Sequence, residues 1–469
     1  MKVFFSGLIA LIIISGCSTD DAFESLEFPQ EPEQEILYDT SLINKESMWG
    51  TLNGHDPSIF KEDDIYYTVS TDAKVGGEPA PGIQMRKSSD LINWEYLGTV
   101  LDEVPEDAYE WTNATELWAP DLIKMNDKYY MYYSASTFGS NQSWIGLLTS
   151  DQIDGPWENE GLVIKSEAGD EHNAIDPAVL LDRDGAPWMV YGSFFGGIYI
   201  LELDAETGKP LEEGLGTLVV ERNESVDNAV EGPYIIFNEE EDQYYLFVSY
   251  DSLSADYNIR VARSEQIDGP YIDYVGNNMT DTDIFPYEVG TKLIGSYRFG
   301  DEDGWIAPGH NSVLNDDGEF YLIHHARGEQ DPNWPYLHVR RILWSDDGWP
   351  LVSPERYAGE KEQAISEEAL IGNWKYINVN KYNNDLLLSE DIVLAKKGEI
   401  ENNETIKQWS YSEENSLSFV FEDEDEEKEI TGKVMVAWDW ENWKTTIIFT
   451  GLDEDGNAFW AKKYHHTDD

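Results

Sequence analysis

The chain has 469 residues, of which 93 are acidic and 31 basic, giving a formal net charge of −62 at pH 7. Charge of that sign repels phosphate and excludes nucleic acid as a partner, while 41% hydrophobic and 13% aromatic residues are too much packing material for a mostly disordered chain. A single cysteine excludes an intrachain disulfide framework and a multi-cysteine metal site.

The first residues read as an export signal. Lys2 precedes an apolar run from Phe4 to Ile14, which has signal-peptide length and is too short to span a bilayer. Ile14-Ser15-Gly16-Cys17 resembles a lipobox, so residues 1–17 are expected to be a lipoprotein signal peptide with Cys17 as the lipidated residue. Ser18-Thr19-Asp20-Asp21 is similar to the export signal of surface lipoproteins in Bacteroidota, which implies the outer membrane and the cell surface. Residues 18–35 are polar, acidic and proline-containing and read as a flexible tether. No later segment approaches ~18 consecutive apolar residues, which excludes a polytopic membrane protein. The acidic charge reads either as a solvated surface suited to salty water or as a face for cations.

Residues 36–360 carry one pattern five times. The copies are His55-Asp56-Pro57-Ser58-Ile59-Phe60, Trp118-Ala119-Pro120-Asp121-Leu122-Ile123, Ile175-Asp176-Pro177-Ala178-Val179-Leu180, Glu231-Gly232-Pro233-Tyr234-Ile235-Ile236 and Gly309-His310-Asn311-Ser312-Val313-Leu314. Aligned on the second residue, the anchors stand at 56, 119, 176, 232 and 310. Each is followed by a polar turn and an aromatic-rich strand, such as Tyr129-Tyr130-Met131-Tyr132-Tyr133 or Tyr244-Tyr245-Leu246-Phe247-Val248, and then by a third strand. Short strands repeating about every 60 residues predict a five-bladed β-propeller. A β-sandwich is the alternative, but it leaves five similar anchors unexplained. The wide spacing before the last anchor predicts a long loop in blade four, around Gly276–Gly304. From residue 369 to 469 the pattern changes to strands of a separate small β domain, with Glu422–Glu429 as an acidic solvated turn.

The innermost strands of a propeller line its central channel, so equivalent anchors converge near the axis. Three sites offer a carboxylate, namely Asp56, Asp176 and Glu231, and a fourth offers His310. A lone Asp-Pro is ordinarily a turn starter. Three acids brought to one axis are costly unless they perform chemistry or hold a cation. Convergent acids suit glycosidic hydrolysis, in which one carboxylate activates water and another, kept protonated, donates to the leaving oxygen.

These residues resemble glycoside hydrolase family 43, and most of all its endo-α-1,5-L-arabinanases. The resemblance rests on Asn173-Ala174-Ile175-Asp176-Pro177, Tyr191-Gly192-Ser193-Phe194-Phe195-Gly196-Gly197-Ile198, Glu231-Gly232-Pro233-Tyr234, Leu117-Trp118-Ala119-Pro120-Asp121, Pro308-Gly309-His310-Asn311-Ser312-Val313 and Asp346-Asp347-Gly348-Trp349-Pro350. It implies an inverting enzyme with Asp56 as general base, Glu231 as general acid and Asp176 as the group that raises the pKa of Glu231 and orients it. It implies that His310 helps hold a calcium ion or, in some members, another ion near the channel, whose shell water would have to complete. It places Trp118, Phe138, Ser193 and Phe195 against the sugar, with blade packing as the plainer role for the first two. Two departures stand out. Phe195 occupies a position where the family often has Trp, and Leu253-Ser254 replaces a Cys pair common after the Ser-Tyr-Asp of blade four.

The implied substrate is arabinan or its oligosaccharides. The alternatives are a chain-end enzyme of the same family (exo-arabinanase, α-L-arabinofuranosidase or β-xylosidase) and a surface glycan-binding propeller without catalysis. Retention of all three acids argues against the last, because a pure binder has no need of Glu231.

Overall fold

The structure, a computed structural model, describes residues 19–301, 303–412, 414–423 and 426–464. The expected signal peptide and Cys17 lie outside the described residues. The five repeats form five blades: the first four are antiparallel four-stranded sheets, each drawn from contiguous chain, and the fifth has four antiparallel strands of its own in a sheet extended to six by two short strands. Blade one is Ser58–Glu62, Ile65–Ser70, Gln84–Ser88 and Glu95–Thr99; blade two is Trp118–Met125, Lys128–Ala135, Ser143–Ser150 and Glu158–Ser166. Blade three is Ala178–Leu181, Pro187–Tyr191, Ile198–Glu202 and Thr217–Val220; blade four is Val230–Asn238, Gln243–Tyr250, Asn258–Ser264 and Thr291–Ile294. Blade five is Trp305–Asp316, Glu319–Gly328, Pro335–Trp344 and Pro350–Val352. The first strands of neighbouring blades touch all the way round, the fifth against the first included.

The aromatic richness of the second strands follows from this arrangement. Lys128–Ala135 and Gln243–Tyr250 are buried along almost their whole length, because both faces of each sheet pack against neighbouring blades. Five apolar clusters fill the five joints, one between each pair of neighbouring blades. The joint between blades five and one is the smallest, with Ile59, Leu91 and Trp94 facing Leu314, Tyr321, Ile323, Leu337 and Val339. No outer strand is exchanged there. A short bridge, Leu52 with Tyr336, spans the joint instead.

All five anchors adopt positive φ: Asp56 at 49°, Ala119 at 37°, Asp176 at 58°, Gly232 at 58° and His310 at 50°. In blades two, four and five the ladder register also shifts there, between Trp118 and Asp121, Glu231 and Tyr234, and Gly309 and Ser312. The repeat is therefore a left-handed bulge that turns the backbone at the mouth of the channel.

The expected long loop of blade four is shorter than its spacing suggested. The fourth strand, Thr291–Ile294, and the short strand Tyr297–Arg298 lie within it, and the true excursion is residues 265–290.

The C-terminal domain is one eight-stranded antiparallel sheet running from Gly372–Val379 to Ala458–Lys463. A bridge between Glu399 and Gln408 brings its two edge strands together, so the sheet curls toward a barrel around Trp374, Leu394, Leu417, Ile430 and Phe449. The domain shares a core with blades four and five through Ile377, Met435, Ile448 and Trp460. Its Leu387–Leu388 also pairs in parallel with Tyr297–Arg298. Where they meet, the buried Lys462 ammonium donates to Glu355 (2.7 Å), Asp439 (2.9 Å) and Glu441 (2.9 Å).

Residues 19–35 are not a free tether. Thr19–Glu24 is a short helix whose Ala22 is buried in the C-terminal core, with Phe23, Leu26 and Phe28 packed beside it. Glu27 and Gln363 exchange two hydrogen bonds, and Glu35 pairs with Arg356 at 2.9 Å. Composition alone masked this, because three well-placed apolar residues outweigh the acidic ones around them.

Candidate active site

Each anchor is fixed by its neighbour. The Ala119 amide donates to Thr71 Oγ1 (2.8 Å), Asp176 to Ser134 Oγ (2.9 Å), Gly232 to Asp176 Oδ2 (3.2 Å), His310 to Ser249 Oγ (2.8 Å) and Asp56 to His325 Nδ1 (3.3 Å). In four of the five joints the acceptor sits at or just beyond the end of the preceding blade's second strand. The ring of blades thus doubles as a ring of pinned anchors, which brings Asp56, Asp176, Glu231 and His310 together at one mouth.

Asp56 is surrounded by polar side chains. His55 Nδ1 lies 2.8 Å and Thr71 Oγ1 2.6 Å from its Oδ2, while His310 and His325 bring Nδ1 to 3.2 and 3.3 Å from Oδ1. Arg327 donates from Nη2 to His55 Nε2 at 2.8 Å. A guanidinium can only donate, so His55 Nε2 must accept and its proton sits on Nδ1, aimed at Asp56. Burial works against the Asp56 anion, but His55 and His310, with the hydrogen bond from His55, hold its carboxyl well below the usual range.

Asp176 and Glu231 are shifted the other way. Burial, then the charges of Glu231 and Asp56, push Asp176 well above the ordinary carboxyl range. Burial also raises Glu231, opposed by His310 and by a 2.9 Å hydrogen bond from Ser193. The two acids together retain a proton that Asp56 does not. One mouth therefore holds an ionised carboxylate and a proton-bearing pair, which is the division of labour that acid–base chemistry requires.

Two glycines make the close packing possible. A Cβ on Gly309 would lie 1.9 Å from the Tyr257 ring, and one on Gly232 would lie 3.0 Å from His310. Tyr257 stacks on His325 (5.8 Å between centroids), which stacks on His55 (4.0 Å).

Among the sugar-facing residues expected from the sequence, Ser193 is buried against Glu231. Trp118 is half-buried, its Nε1 donating to Glu116. Phe195 is 38% exposed and Phe138 87% exposed, so Phe138 does not pack within the blade. Leu253, at the position of the missing Cys pair, turns its carbonyl to Arg327 Nε at 2.9 Å and so braces the residue that orients His55.

His55, Thr71, Tyr257, His325 and Arg327 were not among the residues singled out from the sequence. His55 was visible inside the first repeat. The others sit at strand ends, and only ring closure brings His325 and Arg327 to Asp56.

Among the described residues, the channel group with three ligand atoms within 4.8 Å of one another is His55, Asp56 and His325, which does not include His310. Two imidazoles and one carboxylate are not the oxygen cage that calcium takes, so they fit a hydrated ion at the channel and not a protein-caged one.

Residues 50–350 match the family described as Glycosyl hydrolases family 43, and residues 354–461 match a C-terminal lipocalin-like domain. The chain is 33% identical to the extracellular endo-alpha-(1->5)-L-arabinanase 2 of Bacillus subtilis, over 90% of this chain and 95% of that one. It is 34% identical to an extracellular exo-alpha-(1->5)-L-arabinofuranosidase of Cellvibrio japonicus, over 67% of this chain and 93% of that one. The crystal structure of the endo-1,5-alpha-L-arabinanase of Thermotoga petrophila superposes with a TM-score of 0.79 at 31% identity, covering 88% of this chain and 99% of that one. Matched along both of its domains, the chain belongs to glycosyl hydrolase family 43.

Proposed function

We propose that the chain hydrolyses internal α-1,5-L-arabinofuranosidic bonds of arabinan with inversion. The observation that carries this reading is the opposed protonation of Asp56 and the Asp176–Glu231 pair at one channel mouth. In the step so derived, Asp56 accepts a proton from water as the oxygen attacks the anomeric carbon. The glycosidic C–O bond breaks, and Glu231 delivers its proton to the departing oxygen. Asp176, whose Oδ2 accepts from the Gly232 amide, stands beside Glu231 and keeps that proton from leaving early. The relatives named endo-arabinanases match over both domains, which favours internal cleavage. Incubation with linear α-1,5-arabinan, with products sized over time, tests it: early mixed oligomers are expected, and one short product from the start would make this a chain-end enzyme, as the Cellvibrio relative is named.

Asp176 and Glu231 repel one another when both are ionised, so Asp176→Asn removes a charge that opposes the second ionisation of the pair. The general acid then loses its proton at lower pH, so the alkaline limb of the kcat/KM profile moves to lower pH. An unchanged limb would remove this role from Asp176.

A calcium ion is proposed against His310, with water filling most of its shell; no step depends on it. His310→Ala should reduce the sensitivity of activity to chelator, and undiminished sensitivity counts against His310 as a ligand. Export through residues 1–17, lipidation at Cys17 and attachment at the outer membrane surface are proposed from the sequence, and the extracellular names of the relatives agree with export. Palmitate labelling that survives Cys17→Ser would oppose the anchor.

A further inference from the structure

The excursion 265–290 and the C-terminal segment 380–386 meet at the outer edge of blade four. Phe285 is 57% exposed and Tyr382 50% exposed, and their ring centroids lie 6.4 Å apart at 31°. Tyr287 stands 5.6 Å from Phe285 and continues the same surface. One face of the molecule thus carries three adjoining aromatic rings contributed by two domains. Isolated apolar side chains on a surface need no explanation, but adjoining aromatic ones do.

The support beneath these rings is unusually well fixed. Arg260, fully buried in blade four, donates from Nη1 to the carbonyls of Tyr287 (2.8 Å), Val289 (3.1 Å) and Gly290 (3.2 Å) and from Nη2 to that of Lys381 (2.7 Å). A single guanidinium therefore clamps the backbone at Tyr287 and beside Tyr382. Lys292, also fully buried, donates to the carbonyls of Asn380 (3.2 Å) and Asn383 (2.7 Å) and to Asn384 Oδ1 (2.8 Å). Asn384 in turn donates to Asp251 at 2.6 Å. Spending two buried cations to order two exposed loops is a preorganising arrangement, since rings held in place lose little freedom on binding.

The surface is also continuous with the active site. Asn223 Nδ2 donates to the Thr282 carbonyl, and the Glu221 amide to that of Met279. Both belong to the link that leads from blade three to Val230 and Glu231. Arg222, in the same link, lies under Tyr287 and pairs with Asp251 at 2.7 Å. The rings therefore stand against the link that leads from blade three to the Glu231 strand.

We propose that Phe285, Tyr287 and Tyr382 form a remote platform for the arabinan chain as it leaves the cleft, and that this is how the C-terminal domain takes part in catalysis. The proposal rests on the arabinan reading above. A neutral polysaccharide fits this surface because furanose rings present C–H faces to aromatic ones. A chain of net charge −62 neither attracts nor repels it. The platform acts on long substrates only and touches no reacting atom.

The test compares the full chain with Phe285→Ala, Tyr382→Ala and the double variant on long linear arabinan and on a short arabino-oligosaccharide. Leu211→Ala, at an exposed position elsewhere, is the control. On the polymer each single variant is expected to raise KM several-fold and the double variant at least about tenfold, with kcat retained. On the oligosaccharide all variants should match the parent. Retardation of the inactive Glu231→Gln chain in an arabinan-containing gel should weaken when Tyr382→Ala is added, equally at low and high salt. Unchanged polymer KM in the double variant overturns the platform, and so does an equal loss on both substrates, which a merely structural role would give. A parent chain that cuts no arabinan overturns the arabinan reading itself, and it is recognised before any variant is compared.

Discussion

Glu231→Gln is expected to lower kcat on arabinan by at least about 100-fold, the scale of losing a general acid, while substrate binding is retained. The amide keeps the shape of the side chain and can still accept from Ser193, so the mouth stays built. What it cannot do is release a proton to the departing oxygen. The defect should therefore shrink on substrates whose leaving group needs no protonation, such as an aryl arabinofuranoside with an acidic phenol. A variant that keeps near-normal turnover on arabinan, or one equally impaired on every leaving group, would take the general-acid role away from Glu231.

The second large effect concerns stability. Lys462→Met is expected to cost about 3–5 kcal/mol, the range for removing one partner of a buried ion pair. The ammonium is fully buried and donates to three carboxylates, Glu355, Asp439 and Glu441. Burial alone would raise Glu441, yet Lys462 and then Arg356 hold it down to about 2. Glu355 already sits well above the usual range, through burial and the charge of Glu441, with Lys462 opposing. Without the ammonium, Glu355 and Glu441 lose the charge that opposes their burial and are expected to rise above their unfolded-state values. A carboxyl so raised loses stability as pH climbs from its unfolded to its folded pKa, so the deficit should be largest above neutrality and smallest near pH ~4. Thermal unfolding of parent and variant across pH reads this out. An unchanged midpoint, or a deficit that grows on acidification, would show that the carboxylates find other partners.

The legible part of the fold was the part with a local cause. Asp56, Asp176, Gly232 and His310 stand at left-handed positions, where Asp, Gly and His are tolerated better than branched residues, so the left-handed turn left a mark on the sequence in four of the five blades. Ala119 breaks that preference and was recognisable only from its Pro and Asp neighbours. The paired aromatics of the second strands were legible for a similar reason, being buried on both faces. What the sequence concealed was what the ring creates. Nothing near His325 or Arg327 says that they will face Asp56 and His55, because the contact spans 269 residues in one case and 272 in the other. Residues 19–35 were misread because acidic composition dominates any local window there, while the surface that receives Phe23, Leu26 and Phe28 is formed by the far end of the chain.

The pinned anchors also set the order in which the molecule becomes competent. Blades one to four are each cut from contiguous chain, so each can complete its own sheet as it leaves the ribosome, with no wait for a borrowed strand. Asp56, the proposed general base, cannot be given its surroundings so early. Asp56 is made in the first blade, but His310 and His325 arrive with the fifth, and the Asp56 amide finds its acceptor only then. A chain stopped after four blades would carry all three acids and still hold Asp56 without two of its three imidazoles. Ring closure thus supplies the last of the polar groups around Asp56, and the channel mouth is finished by the blade made last.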